Sequence, residues 1–242
     1  MAAEVEVLVA RMVALLEHER DPCRFFLGTY LRTTEAVRAA LDGGVFEDPA
    51  WVADWDVVFA GFYLDALEVW RAQPTAAPAP WRLAFGADPA LPPEAHVLLG
   101  MNAHINFDLP QSLVQVISEA DFADSVVLGR RRRDHERIDA VLASRVAAED
   151  AELERAGGRR TPVDRLLAPF NRGASRLFLR EARRKVWINT TVLHRARLAG
   201  GTESARCLAA LEAAAAGRVA DLLRPGPVLM RLAVHGFGVT LG

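Results

Sequence analysis

The sequence contains little cysteine and a single lysine. Cys23 and Cys207 stand alone, with no CxxC pair and no even set of cysteines, so we expect both to be reduced thiols with a structural role. Lys185 is the one lysine among 29 basic residues, and all the others are arginines. Because a GC-rich genome produces this bias together with abundant alanine, the bias indicates no particular partner.

Long hydrophobic runs are missing as well. The apolar stretch at 57–64 lies between Asp56 and Asp65, and it is much shorter than the roughly 18 to 20 residues that a membrane span needs. The chain also starts with acidic residues where a signal peptide would have basic ones. We therefore expect a cytoplasmic protein that does not enter a membrane.

Neither a basic excess nor a common catalytic motif is present. The net charge is -2, whereas nucleic-acid binders normally carry a clear basic excess. The sequence has no Glu-x-x-His, no His-Glu-x-x-His, no Gly-x-Ser-x-Gly, no Walker loop and no dinucleotide fingerprint after a strand. These absences argue against nucleic acid as a partner, against a nucleotide cofactor and against most of the common enzyme classes.

The sequence does contain a series of helical segments. Residues 2–19 place apolar side chains at the i, i+3, i+4, i+7 spacing of an amphipathic helix. Further helices are predicted over about 24–41, 49–72, 125–156, 172–198 and 202–223, with a short helical turn at 161–168. No alternating strand pattern recurs. We therefore predict an all-α protein, a single domain over residues 1–242 built as a bundle of about eight or nine helices.

Two stretches are predicted to lack a long helix. Residues 73–93 are rich in proline and alanine, and a connection of this length often forms a lid or one wall of a site. Trp81 and Phe85 are expected to pin it to the body of the protein. The last segment, from Arg224 onward, is apolar and contains several glycines, so we predict an irregular path along the body.

The main functional signal lies in residues 94–117. This segment is apolar enough for the core, yet it carries five polar side chains that burial tolerates only if each finds a partner. They are His96, Asn102, His104, Asn106 and Asp108. Because His104 and Asp108 are four residues apart, they point the same way on a helix. Pro110 predicts a break or kink of the helix just after Asp108. Together these features indicate a polar pocket inside a helical protein.

The pattern His-x-x-x-Asp occurs twice, at His104–Asp108 and at His135–Asp139. Two helices that each present a histidine and a carboxylate can form a four-ligand site for zinc, iron or manganese. We expect the ligands to be His96, His104, Asp108 and His135. The second copy lies in a charged context that is equally typical of a solvated helix face, and the first could be a buried pair that fixes the kink.

A mechanism without metal is also consistent with these residues. Asp108 could polarise His104 as a general base, since the pKa of histidine is well matched to neutral pH. Asn102 and Asn106 could bind a carbonyl or phosphoryl oxygen of a cofactor or substrate, or they could cap backbone groups freed by Pro110. Asp65, next to the apolar stripe of the third helix, is predicted to point inward as an additional base.

The arginine run contributes a further candidate. Arg130, Arg133 and Arg137 share one helix face and could bind an anionic substrate. A solvated helix face is the more common outcome of such a run.

The segment GMNAHINFDLPQSLV at 100–114 resembles a bacterial family known only as domain of unknown function 5995. Segments at 48–67, 130–142, 164–187 and 236–238 are also similar to this family. The resemblance covers most of the chain and implies one domain, but it implies no activity. The family's motif positions fall here on Asp65, His96, Asn102, His104, Asn106, Asp108 and His135.

The sequence thus supports three functional hypotheses. The first is a metal-assisted hydrolase or lyase that acts on a small molecule, with a divalent ion at the histidines and Asp65 in support. The second is a small-molecule-binding or interaction protein in which the polar cluster is structural. The third is a metal-free acid–base enzyme of a biosynthetic pathway.

Overall fold

The computed structural model describes residues 2–19, 21–155, 162–226 and 228–241. Every regular element in these ranges is helical and none is a strand, which confirms the all-α prediction. Among the described residues, no helix has the length and apolar character required to cross a bilayer. That the whole chain forms one domain stays a prediction.

The helices are named here in chain order. They are α1 (Ala2–His18), α2 (Cys23–Asp42), α3 (Pro49–Ala72), α4 (Ala79–Phe85), α5 (Pro93–Ala103), α6 (Leu109–Val116), α7 (Glu119–Ala123), α8 (Ser125–Arg155), α9 (Pro162–Ala199), α10 (Gly201–Leu223) and α11 (Val228–His235). A short 3-10 turn at Pro74–Ala76 precedes α4, and a π-helix at His104–Asp108 joins α5 to α6.

Helix α3 begins as the sequence predicts. The side chain of Asp48 accepts a hydrogen bond from the backbone N–H of Trp51 at 3.1 Å, and Pro49 occupies the first helical position. This arrangement satisfies one of the donors that a helix start leaves open, and proline costs nothing there. The residue pattern therefore fixes the start of the helix that carries one wall of the site.

Three boundaries differ from the prediction. The connection at 73–93 contains α4, whose short apolar stretch buries Trp81 completely. The two helical segments predicted at 161–168 and 172–198 are one helix, α9, although residues 156–161 before it lie outside the described ranges. The last segment forms α11 before it becomes irregular at 236–241. In each case the structure contains more helix than the positions of proline and glycine predict.

The sequence predicts a break or a kink after Asp108. The helix does not break there, and its regular geometry is instead interrupted by the π-helix. The N–H of Leu109 bonds to the carbonyl of His104, five residues back, which defines the π-helix. A regular α-helix would press the ring of Pro110 against the carbonyl four residues earlier. The wider π turn accommodates that ring, and the helix continues through Pro110 to Val116.

This continuous rod, α5 through the π-helix to α6, lies at the centre of the fold. It packs against α2, α3, α4, α9 and α10. Gly100 allows α2 to come close, since a Cβ added there would lie 2.4 Å from Cγ of Phe26. The close approach brings the aromatic side chains of α2 against the π-helix.

Candidate active site

His104 and Asp108 form a buried pair inside the π-helix. Nδ1 of His104 lies 2.8 Å from Oδ2 of Asp108, and the two residues are 3% and 1% exposed. The indole N–H of Trp81 donates to both carboxyl oxygens of Asp108, at 2.9 and 3.2 Å. The His104 ring also stacks on Phe59, with 3.7 Å between ring centroids. The imidazole is therefore fixed at one nitrogen and across one face, as the four-residue spacing predicts.

A cavity of about 660 Å³ lies beside this pair. Its volume is in the range of small-molecule binding sites. His104 lines the cavity, and α1, α2, α3, α5, α6, α8 and α9 supply the other walls. Most of the lining is apolar. Five aromatic residues belong to it, Phe25, Phe26, Tyr30, Trp55 and Phe59. The rings of Phe26, Tyr30 and Phe59 contact the His104 ring.

Three lining residues other than the arginines have a side-chain polar atom that is buried without a protein hydrogen-bond partner. These atoms are Oη of Tyr30, Oδ2 of Asp56 and Nε2 of His104. The rings of Tyr30 and His104 lie 4.6 Å apart, and Asp56 is close enough for its charge to raise the pKa of Tyr30. Since each such atom costs free energy when it is left unpaired, three around one cavity mark a place for the polar groups of a ligand.

Burial disfavours charge throughout this site. It lowers the pKa of His104 well below its usual range and raises the pKa of Asp108, although the Trp81 N–H partly opposes the second effect. Burial also raises the pKa of Asp56 to about 7. The pKa of Tyr30 is raised well above its usual range, first by burial and then by the charge of Asp56. Below about pH 7 these groups are therefore held mostly in their uncharged forms.

The pair can take up or release a proton at Nε2 of His104. When both groups are uncharged, the carboxylic acid of Asp108 donates to Nδ1 and Nε2 carries the ring proton. When Nε2 loses that proton, Nδ1–H donates to the Asp108 carboxylate and Nε2 becomes a base. Such a paired imidazole is suited to general acid–base catalysis in a dry pocket.

The structure places Asp65 on the exposed side of α3, so the prediction that it points inward was wrong. Asp56 is the buried carboxyl of this helix instead. Residues at helical spacing from Asp56 are apolar and buried: Val52, Ala60 and Tyr63. This spacing in the sequence could have identified Asp56, since residues three, four and seven apart share a helix face.

Asn102 and Asn106 do not line the cavity, and the prediction of a cofactor-binding role is not supported. Both side-chain amides donate to the carbonyl of Phe237 at 3.0 Å, and Oδ1 of Asn106 accepts the N–H of Val239 at 3.0 Å. They cap backbone groups of the C-terminal segment, not those near Pro110. Because these contacts span more than 130 residues of sequence, local spacing gives no sign of them.

The predicted metal ligands do not come together. Among the residues that the structure describes, no group of three or more His, Cys, Asp or Glu side chains could hold an ion. Nδ1 of His104 is occupied by Asp108, while His96 packs against Phe25 and is not part of the cavity lining. His135 lies between Trp55 and Trp187, with centroid distances of 5.6 and 5.5 Å.

The second His-x-x-x-Asp pattern is thus not assembled with the first. Burial lowers the pKa of His135 well below its usual range, and the nearby charges of Arg183 and Arg132 lower it further. The side chain of Asp139 lies outside the part of the chain that the structure describes. Among the described residues, His96, His104, Asp108 and His135 therefore do not form the predicted four-ligand metal centre.

The arginine run is used within the protein. Arg133 and Arg137 both pair with Glu47 at 2.8 Å, and Arg137 also pairs with Asp134. The carboxylate of Asp134 is completely buried and accepts the backbone N–H groups of Glu47 and Asp48. These contacts fasten α8 to the connection between α2 and α3, and they favour a structural role over the binding of an anionic substrate.

The comparisons with known proteins identify a family for this chain. The profile of a family of unknown function, DUF5995, matches residues 3–225. The chain belongs to this family. No curated protein and no solved structure matches the chain.

Proposed function

We propose that this protein is an acid–base enzyme that converts a largely apolar small molecule in the cavity, with His104 and Asp108 as the proton-transferring pair. The observation that carries the proposal is the state of the His104 ring. Nδ1 is fixed by Asp108, whereas Nε2 is buried without a protein partner on the wall of a cavity of about 660 Å³. Acid–base catalysis needs a ring that is held in one orientation and a ring nitrogen that no protein group occupies.

Tyr30 and Asp56 supply the complementary groups. Both line the same cavity, and both have an unpaired buried oxygen that can donate a hydrogen bond while it is protonated. Donors aimed at a carbonyl or hydroxyl oxygen stabilise the negative charge that develops there when a neighbouring proton is removed. The reaction class is therefore proton transfer next to a carbonyl, or the loss or addition of water, as in an isomerase or a lyase.

The proposal uses no metal ion. A metal-assisted hydrolase would need several ligands to converge on His104, and in the described part of the chain they do not. Asp65, which that hypothesis placed beside the ion, lies on an exposed face.

A second candidate is a binding protein without catalysis. The apolar character of most of the lining favours this candidate, since an apolar surface gives binding affinity but supplies few groups for catalysis. In that case His104, Tyr30 and Asp56 would only orient the ligand.

Deuterium exchange in carbon acids separates the two candidates. Apolar cyclic ketones such as decalone are first tested for binding by thermal shift, and each ketone that binds is then incubated with protein in D2O. We expect the exchange of its α-protons, followed by proton NMR, to be faster than in buffer. His104→Gln and Asp108→Asn should abolish the acceleration.

The control variant is Asp65→Asn, which makes the corresponding change on the exposed face of α3 and should retain the acceleration. Variants are compared only if they unfold cooperatively and still bind the neutral fluorophore N-phenyl-1-naphthylamine. A ketone that binds but exchanges no faster than in buffer would favour the binding protein and contradict the enzyme.

A further inference from the structure

The entrance of the cavity combines residues from the first turns of two helices. Arg24 and Phe25 come from the start of α2, and Pro93 and Glu94 come from the start of α5. Arg24, Arg32, Pro93 and Glu94 are exposed, while His104 and Tyr30 are buried. The cavity is thus polar at its entrance, apolar along its walls and polar again at its closed end.

Arg24 is a cation without a carboxylate partner among the described residues. Its guanidinium lies 4.9 Å from the centroid of Phe25, a ring that itself lines the cavity. The first turn of α2 contains no acidic residue, and a cation in this position is disfavoured by the helix dipole. An anion bound at the entrance would pair with this guanidinium, for which the described residues supply no carboxylate partner.

The charges around the cavity add up in the same direction. Arg24, Arg32 and Arg183 contribute three guanidinium groups to the lining, and Glu94 is the one exposed carboxylate. Arg183 is almost fully buried and donates to the carbonyl of His135. Asp56 is the other acid of the lining, and burial keeps it largely protonated below about pH 7. The lining therefore contains more basic than acidic side chains.

We infer that the ligand is an anionic amphiphile: an apolar body that fills the cavity, with an acidic group such as a carboxylate held at the entrance by Arg24. Its neutral oxygen function would lie at the closed end, against His104, Tyr30 and Asp56. This inference rests on the proposed function for the role of the closed end, but the role of the entrance rests on Arg24 alone.

Two fluorescent probes that differ only in one charge test this inference. Anilinonaphthalene sulfonate carries a sulfonate on the same aromatic body as neutral N-phenyl-1-naphthylamine, and both are measured by fluorescence titration. We expect the sulfonate to bind the wild type more tightly than the neutral probe. Arg24→Gln should weaken the sulfonate roughly tenfold and leave the neutral probe unchanged, because one charge-assisted hydrogen bond is lost.

Two further variants locate the effect. Arg38→Gln changes another arginine of α2 that does not line the cavity, and it should alter neither probe. Val97→Trp fills the cavity near its entrance, so it should weaken both.

Equal binding of the two probes, or the same response of the sulfonate to Arg24→Gln and Arg38→Gln, would overturn the inference. Sulfonate binding that survives Val97→Trp would place the anion elsewhere and would also overturn it. Because neither probe is a carbon acid, the result is independent of deuterium exchange at His104, and each proposal can fail without the other.

Discussion

Asp56 has a carboxyl group in an environment that disfavours its charge. It is buried on the apolar face of α3, and burial raises its pKa from 3.8 to about 7. The folded protein thus holds a proton that the unfolded chain releases over most of this range. Stability should fall as the pH rises from about 4 to about 7, since unfolding releases a proton in that window.

Replacing Asp56 by asparagine removes this titration. We expect the free energy of unfolding of Asp56→Asn, relative to wild type, to increase by about 4 kcal/mol between about pH 4 and about pH 8. Urea unfolding at a series of pH values measures the difference. The asparagine keeps the shape of the side chain, so the change reports the ionisation of the carboxyl group.

Asp65→Asn on the same helix is the matched control, because it removes an acid from an exposed position of α3. If the two variants show the same dependence on pH, Asp56 does not hold its proton in the folded state.

At this scale the sequence predicted the pair but not its surroundings. His104 and Asp108 were identified by their spacing, because a separation of four residues brings side chains together on any helix. The sequence favours Asp65 over Asp56 when the apolar stripe of α3 is placed one position too early. That stripe consists of Trp55, Phe59, Phe62, Ala66 and Val69. Val69, a member of that stripe, is 37% exposed, whereas Val52 and Tyr63 on the Asp56 face are fully buried.

At the scale of elements, α4 holds the His104–Asp108 pair in place. Its Trp81 donates to both oxygens of Asp108 and contacts the ring of His104, with 6.0 Å between centroids. Trp81 is therefore a positioning residue that acts on His104 through Asp108. The sequence predicted that Trp81 anchors the connection at 73–93, but not which group it binds.

Trp81→Phe removes the indole N–H and keeps an aromatic ring. We expect the free energy of unfolding to fall by about 1 to 3 kcal/mol, because a buried carboxyl loses its donor. The ring signals of His104 in nitrogen NMR should shift at the same time.

Trp51→Phe is the control for this prediction, since Trp51 donates its indole N–H to the carbonyl of Val116, away from the pair. It should destabilise the protein without shifting the His104 signals. Equal His104 shifts in the two variants would mean that Trp81 has no specific effect on the pair.

The opposite side of the π-helix holds the C-terminal segment. Asn106 makes two hydrogen bonds to this segment and Asn102 makes one. We expect Asn106→Ala to lower the free energy of unfolding by about 1 to 3 kcal/mol and Asn102→Ala by less. Exchange of the Val239 amide hydrogen should accelerate in Asn106→Ala alone.

Neither asparagine lines the cavity, so both variants should bind N-phenyl-1-naphthylamine as the wild type does. Loss of this binding with unchanged stability would instead support the ligand-binding role that the sequence suggested.

For the whole molecule, the sequence predicted the helices well and their arrangement poorly. The start of α3 could be predicted because an N-cap residue and a proline at the first helical position act within one turn. The π-helix could not be predicted, since Pro110 alone indicates only that the regular α-helix is disturbed near that position. The cavity depends on contacts between distant segments, such as the approach of α2 to Gly100, and these leave no periodic pattern.

The central claim is that His104 is a neutral, fixed imidazole whose Nε2 faces a cavity that small molecules can enter. Nitrogen NMR of the histidine rings tests it most directly, with His104→Gln to assign the signals. The account predicts that His104 stays neutral well below the ordinary histidine pKa of about 6.5 and that its Nε2 signal shifts when N-phenyl-1-naphthylamine binds. A ring that titrates in its ordinary range and does not respond to the bound probe would contradict it.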